Sequence, residues 1–186
     1  GTLINVFMTL ICAYPLARKK LPHKGFFTFL FTFTMLFSGG MIPSYLVMRD
    51  LKILNTVWVM VLPGAIGISQ MIVTRTFLRS TIPDELLEAT QIDGCNDFRF
   101  FTMFVLPLSK AILAVLVLYY GVAYWNDYFT AMIYINTEDK FTISMGLSQL
   151  KGSLKTDWSA IMCGTCMSFV PGVVFYLLGQ RYFVEG

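Results

Sequence analysis

Apolar residues fill this chain in long stretches, and polar residues gather between them. The runs Gly25–Met48, Ile53–Thr74 and Trp158–Gln180 carry no charge, Ala111–Ile135 is broken only by Asp127, and Gly1–Ala17 is a shorter fifth run. A helical membrane span needs roughly 20 such residues. Only helices or closed barrels satisfy the backbone in lipid, and these runs lack the period-two alternation of barrel strands. The pattern predicts an all-α chain, a polytopic transmembrane helix bundle with five spans visible. Residues 1–186 read as a single transmembrane domain. Gly1 opens inside an apolar run without the basic flank of a signal peptide, so a first span is expected ahead of it.

One long polar interruption organises the rest: Thr81–Lys110, TIPDELLEATQIDGCNDFRFFTMFVLPLSK. Thr81 is placed as an N-cap with Asp84 as its capping-box partner, and Pro83 falls in the first turn, where a missing N–H costs nothing. Gly94 is placed to end that helix in a left-handed conformation. A second start follows at Asn96 or Asp97, and Pro107 is expected to stop it. The first short helix is amphipathic, with Ile82, Leu86, Ala89 and Ile92 or Asp93 opposing Glu85, Glu88 and Gln91. A connecting loop does not need such definition, whereas a docking element does.

The spans carry their own punctuation. Ser38-Gly39-Gly40 and Pro43 break the outer part of a Phe-rich run, and Pro63-Gly64 and Gly67 loosen the next, which holds the amide Gln70. A loosened helix re-satisfies its backbone only against protein or water, so that face is expected to point inward. Tyr124, Trp125, Asn126 and Asp127 crowd the second half of Ala111–Ile135. Asp127 lies 17 residues past Lys110, roughly 25 Å along a helix, near the outer boundary. Two readings of it stay open: a functional carboxylate, or a residue of the interfacial aromatic belt.

Composition agrees with a membrane protein: 56% of residues are hydrophobic and 13% charged, against about 25% charged in soluble domains. The net charge of +3 matters less than its placement. Arg18, Lys19, Lys20 and Lys24 crowd the first short loop, which the positive-inside rule puts in the cytoplasm. Alternation then places loop 18–24 and loop 75–110 inside, and Arg49–Lys52 and Asn136–Asp157 outside. Lys140, Lys151 and Lys155 on the outer side give this little further support.

Catalytic chemistry has no foothold in the sequence. The single histidine, His23, sits in a basic turn without metal-binding company. There is no P-loop, no HExxH and no G-x-S-x-G, so ATP hydrolysis is not expected of this chain. Cys163-Gly-Thr-Cys166 has redox spacing but lies in a span, where two small residues at a helix contact is the better account. The basic loop is too small to suggest nucleic acid.

Glu88-Ala89-Thr90, then Gly94 and later Leu106-Pro107, resemble the EAA loop of binding-protein-dependent ABC importer permeases, with Thr90 in place of the second alanine. The flanks Ile82-Pro83-Asp84-Glu85-Leu86, Val105–Leu108, Trp125-Asn126-Asp127 and Gln180–Val184 are similar to the carbohydrate-uptake branch, the maltose-type inner-membrane permeases. Nearly the whole chain is covered. The resemblance implies the type I ABC importer permease fold in the bacterial inner membrane. It also implies a second permease subunit, two ATPase subunits holding ATP and Mg, an extracytoplasmic solute-binding protein and a sugar substrate. The coupling loop 81–110 would dock the ATPase through Glu85, Glu88, Ala89, Thr90, Asp93, Gly94, Leu106 and Pro107. Gln70, Tyr124, Trp125, Asn126 and Asp127 are the expected substrate path. Family members usually have six spans and a short C-terminal tail. Competing readings are an ABC permease for a non-sugar solute such as a peptide, a membrane assembly protein with a cytoplasmic recruitment hairpin, and an intramembrane redox enzyme using Cys163 and Cys166.

Overall fold

A computed structural model describes residues 1–19, 21–150 and 158–184, with side chains to residue 177. Every regular element among them is helical. In chain order they are α1 (Thr2–Ala17), α2 (Lys24–Leu36), α3 (Met41–Asp50), α4 (Val57–Val61), α5 (Ile68–Thr81), α6 (Asp84–Ile92) and α7 (Asp97–Phe100). A π-turn (Phe101–Val105) and the short α8 (Leu106–Leu108) follow, then α9 (Lys110–Trp125), α10 (Phe129–Tyr134), a 3₁₀ turn (Glu138–Lys140), α11 (Ile143–Gln149) and α12 (Trp158–Val184).

The apolar runs are helical, but three of them are not single helices. Gly25–Met48 breaks between α2 and α3, where Gly40 takes a φ of +86°. In Ile53–Thr74, α4 ends just before Pro63, whose missing N–H cannot continue it, and α5 restarts after Gly67. Ala111–Ile135 breaks at Asn126–Tyr128, and the Asp127 carboxylate accepts the Thr130 N–H at 3.0 Å, starting α10. Gly1–Ala17 and Trp158–Gln180 each form one helix, the latter running through Pro171. Among the described residues, one helix is long and apolar enough to cross a membrane, Trp158–Leu177, or up to three if each of two broken pairs counts as one span.

Two compact units share the helices. One comprises chiefly Leu3–Ser38 and Ala65–Val117. Its core joins Ala13, Leu16 and Ala17 of α1 to Met71 and Leu78 of α5, with Ile82, Phe100 and Val105. The α1 residues recur at helical spacing, and fully burying a side chain such as Phe100 or Leu78 contributes about 1.5–3 kcal/mol. The orphan carbonyls ending α1 are met by cations: Arg75 Nε donates to Leu16 O at 3.1 Å, and Lys24 Nζ donates to Arg18 O at 2.8 Å. Such cations also complement the negative helix terminus. Arg75 is thus directed onto α1. The phenylalanines of α2 stay largely exposed, Phe29, Phe33 and Phe37 forming a ladder with centroids 6.1 and 4.6 Å apart.

The other unit comprises chiefly Gly39–Gly64 and Leu118–Arg181. Its organiser is Asn55, held at φ +60°. The Asn55 N–H donates to Tyr134 O at 3.0 Å, its Oδ1 accepts from the Asn136 and Thr137 N–H groups at 3.3 Å, and its own carbonyl accepts from Lys140 Nζ at 2.7 Å. Tyr45 stacks on Tyr134 at 6.0 Å. A Cβ on Gly164 would collide with the side chain of Leu147, so this glycine permits close contact of α11 and α12. The contact belongs to Gly164 and not to the cysteines: the Cys163 and Cys166 thiols, expected at a helix contact, are free and exposed.

Candidate functional site

The hairpin from Asp84 to Phe100 is built by its turns. Pro83 biases the residue before it away from helix, and Ile82 is extended at φ −119°, ψ 95°. That ends α5 at Thr81 and makes Pro83 itself, at φ −63°, ψ 149°, the residue that caps α6. Thr81 therefore closes the preceding helix and does not cap the next, and the expected capping box with Asp84 does not form. Asp84 and Glu85 occupy the first turn of α6, where carboxylates favour the helix dipole. The expected left-handed Gly94 is present at φ +77°. The Gly94 N–H donates to Gln91 O at 3.1 Å and the Cys95 N–H to Thr90 O at 2.9 Å, the bond pair of a Schellman motif. Asn96 then caps α7 in an extended conformation, and Gln91 Nε2 donates across the turn to Asp97 Oδ1 at 3.3 Å.

Two further expectations are corrected. Pro107 does not stop the second segment. A wide π-turn precedes it, the Leu106 N–H reaching back to Phe101 O, so the extra residue is absorbed before the proline and the break falls at Ser109, φ −95°, ψ 13°. The apolar face of α6 is also rotated. Leu86, Leu87 and Thr90 turn inward, whereas Ala89 is exposed and Ile92 is 87% exposed. Phe98, at the start of the second segment, is 76% exposed. Ile92 and Phe98 are thus two large apolar side chains that this charged segment leaves uncovered. Glu85, Glu88, Asp93 and Gly94 lie on that same exposed outside, and Leu106 and Pro107 lie beyond the π-turn.

Behind the hairpin is a cationic seat. Asp84 pairs with Arg18 Nη1 at 3.6 Å and Lys19 Nζ at 3.3 Å. A cavity of about 300 Å³ is lined here by Tyr14, Arg18, Lys19, Arg79, Asp84 and Glu85. A second of about 130 Å³ adds Leu87 and Glu88. Burial, with the nearby Arg75 and Arg79 guanidinium groups, holds the Lys24 ammonium below the usual lysine range, against an opposing pull from Asp84.

The expected substrate-path residues are divided between the two compact units. Gln70 lies on α5 in the first unit, its carbonyl accepting from Thr74 Oγ1 at 2.7 Å. The other four sit at the end of α9 in the second unit. Trp125 Nε1 donates to Ser168 O at 3.0 Å, in the turn that Pro171 loosens. The Tyr124 ring lies against Gly1. Asn126 borders an open cavity of about 340 Å³ with Val122, Ser168, Phe169 and Tyr176. Asp127 is committed to starting α10. Asp127→Asn, which caps equally well, is expected to leave solute uptake within about twofold of wild type, whereas Asp127→Ala loses about 1 kcal/mol of stability. Abolished uptake in Asp127→Asn with normal expression would make the carboxylate a functional group instead.

Residues 5–183 match the family described as the binding-protein-dependent transport system inner membrane component. The chain belongs to this family. A polygalacturonan/rhamnogalacturonan transport system permease protein of Bacillus subtilis is 36% identical across 100% of the chain and 70% of that relative. Protein LplC of the same organism is 40% identical over 92% of the chain and 57% of its own length. Among solved structures, a bacterial ABC transporter involved in the import of the acidic polysaccharide alginate matches with a TM-score of 0.85 and 29% identity, over 98% of this chain and 71% of that one. The chain thus spans about 57–71% of the length of these proteins. Like other members of the family it is an inner-membrane component, all-helical among the described residues.

Sequence reasoning assigned no site role to Arg18, Arg75 or Asn55. Arg18 was legible only as part of a basic loop, and Arg75 only as a flank. Asn55 carried one usable signal: asparagine tolerates the left-handed conformation it adopts. The side chains of Gln180–Val184, with Lys20, Lys151 and Lys155, fall outside what the structure describes.

Proposed function

We propose that the chain is the transmembrane permease subunit of an ATP-driven sugar importer. The observation that carries this reading is the capped hairpin α6–α7, which presents Ile92 and Phe98 outward and is held from behind by the nearly buried Arg18. The hairpin would dock on a separate ATPase subunit that binds ATP and Mg. Closure of two ATPases would swing this subunit and a second permease subunit between inward-facing and outward-facing arrangements. A binding protein would deliver sugar at the outer side, where Arg49–Lys52 and the segment clasped by Asn55 are its contacts. The pairing of Asp84 with Arg18 and Lys19 supports placing loops 18–24 and 75–110 on one side, and the positive-inside rule makes that side cytoplasmic. Five spans, with Tyr124–Asn126 near the outer end of one, complete the proposal. The names of the relatives favour oligosaccharides, acidic ones first.

The decisive experiment purifies the intact complex from membranes and measures ATP hydrolysis with a panel of binding proteins loaded with neutral or uronate oligosaccharides. Co-purification of an ATPase and stimulation by at least one loaded protein is the expected result. A chain that brings down no ATPase, or an ATPase that no loaded binding protein stimulates, would sink the proposal.

A further inference from the structure

We infer that Arg18 is a positioning residue for coupling: its one guanidinium holds both hairpin helices to the end of α1, so hairpin displacement passes directly into α1. The inference rests on reading α6–α7 as the ATPase-docking element. Arg18 is only 13% exposed. It pairs with Asp84 at the start of α6, donates from Nη2 to the Tyr14 hydroxyl of α1 at 3.3 Å, and lies over the Tyr14 ring at 4.8 Å and the Phe100 ring of α7 at 5.0 Å. Three elements thus meet on one side chain. Phe100 is fully buried and stacks on Phe104 at 5.3 Å, while Tyr14 meets Phe101 edge-on at 5.1 Å. The ring system under the guanidinium is therefore continuous with the core.

Lysine cannot reproduce this arrangement, because only a planar guanidinium stacks on rings while donating in its plane. Nor is Lys19 an equivalent. It reaches the same carboxylate but is 68% exposed, and exposed pairs contribute little. Arg18 is the more buried partner, so Asp84→Asn leaves its guanidinium without a carboxylate, whereas Asp84 keeps Lys19 when Arg18 is replaced and what is lost is the hold on the Tyr14 and Phe100 rings. The same end of α1 is also held from other elements, since Arg75 of α5 and Lys24 of α2 donate to the Leu16 and Arg18 carbonyls. Motion of the hairpin would then be conveyed to α1 through Arg18, and from α1 to α5 through Arg75.

The test uses the full complex in proteoliposomes with Arg18→Gln, Arg18→Lys, Asp84→Asn and Lys19→Gln. Arg18→Gln is expected to retain the ATPase but to raise the ATP hydrolysed per sugar imported about fivefold or more, the scale of a site-to-site coupling term. Arg18→Lys and Asp84→Asn should move the same ratio in the same direction by less, and Lys19→Gln should leave it unchanged. A second readout needs no ATPase: cleavage after Glu85 and Glu88 by an acid-specific endoprotease on the full chain, which Arg18→Gln and Asp84→Asn should accelerate. An unchanged ratio together with unchanged cleavage overturns the inference, as does a Lys19→Gln effect equal to that of Arg18→Gln. If the wild-type chain binds no ATPase, the docking reading fails on its own, and cleavage alone decides whether Arg18 holds the hairpin.

Discussion

Replacing both Ile92 and Phe98 with aspartate is expected to release the ATPase subunit altogether. Truncation of a buried anchor at an interface typically costs 2 kcal/mol or more, about a thirtyfold loss of affinity for each. Aspartate adds the cost of burying an unpaired carboxylate. Both side chains are more than three-quarters exposed in the chain alone, so their loss takes nothing from its core, and surface changes of this kind usually alter stability by less than about 0.5 kcal/mol. The measurement is ATPase recovered with affinity-purified chain, alongside the thermal midpoint of the chain itself. Normal ATPase recovery at an unchanged midpoint would mean that the docking surface lies elsewhere, with Glu85 and Glu88 the next place to look.

Gly94→Val should have the second largest effect, by a different route. At φ +77° the position has open space for a side chain, so the penalty is conformational and not steric crowding by neighbours. A left-handed residue with a Cβ costs about 1–2 kcal/mol, and β-branching adds to it. The two bonds that close α6, from Gly94 and Cys95, are lost if the turn opens. Import is expected to fall about tenfold, corresponding to roughly 1.4 kcal/mol of displaced geometry. Gly94→Asn, which tolerates this conformation better, should recover most of the loss. A valine variant importing at the wild-type rate would show that the turn is not a rigid part of the mechanism.

Those two predictions draw on different depths of information. The Gly94 turn was readable from the sequence because a helix C-terminus has few chemical solutions and glycine is one of them. The outward face of α6 was not. Ile82, Leu86, Ala89 and Ile92 satisfy helical spacing, yet Pro83 forces Ile82 out of the helix, and the true inward face is Leu86, Leu87 and Thr90. A window that begins one turn too early returns the wrong phase. The apolar runs announced helices correctly but concealed their breaks, because hydropathy averages over Pro63, Gly67 and Asp127 while the backbone responds to each singly. Arg18 was beyond reach for another reason. Its one local mark is Tyr14, four residues before it, and the difference from Lys19 becomes decisive only when Phe100, far off in sequence, closes over the same guanidinium.

The clasp at Asn55 has a consequence for how such a protein could change over time. The bonds that shape residues 134–140 run largely between Asn55 and backbone groups of the segment. Its path is therefore set almost independently of which side chains stand at Glu138 and Asp139. Those positions are free to be exchanged without redrawing the loop; taken as the proposed contact for a binding protein, the segment would let a lineage acquire a new carrier, and with it a new diet, by substituting a few surface residues over an unaltered frame.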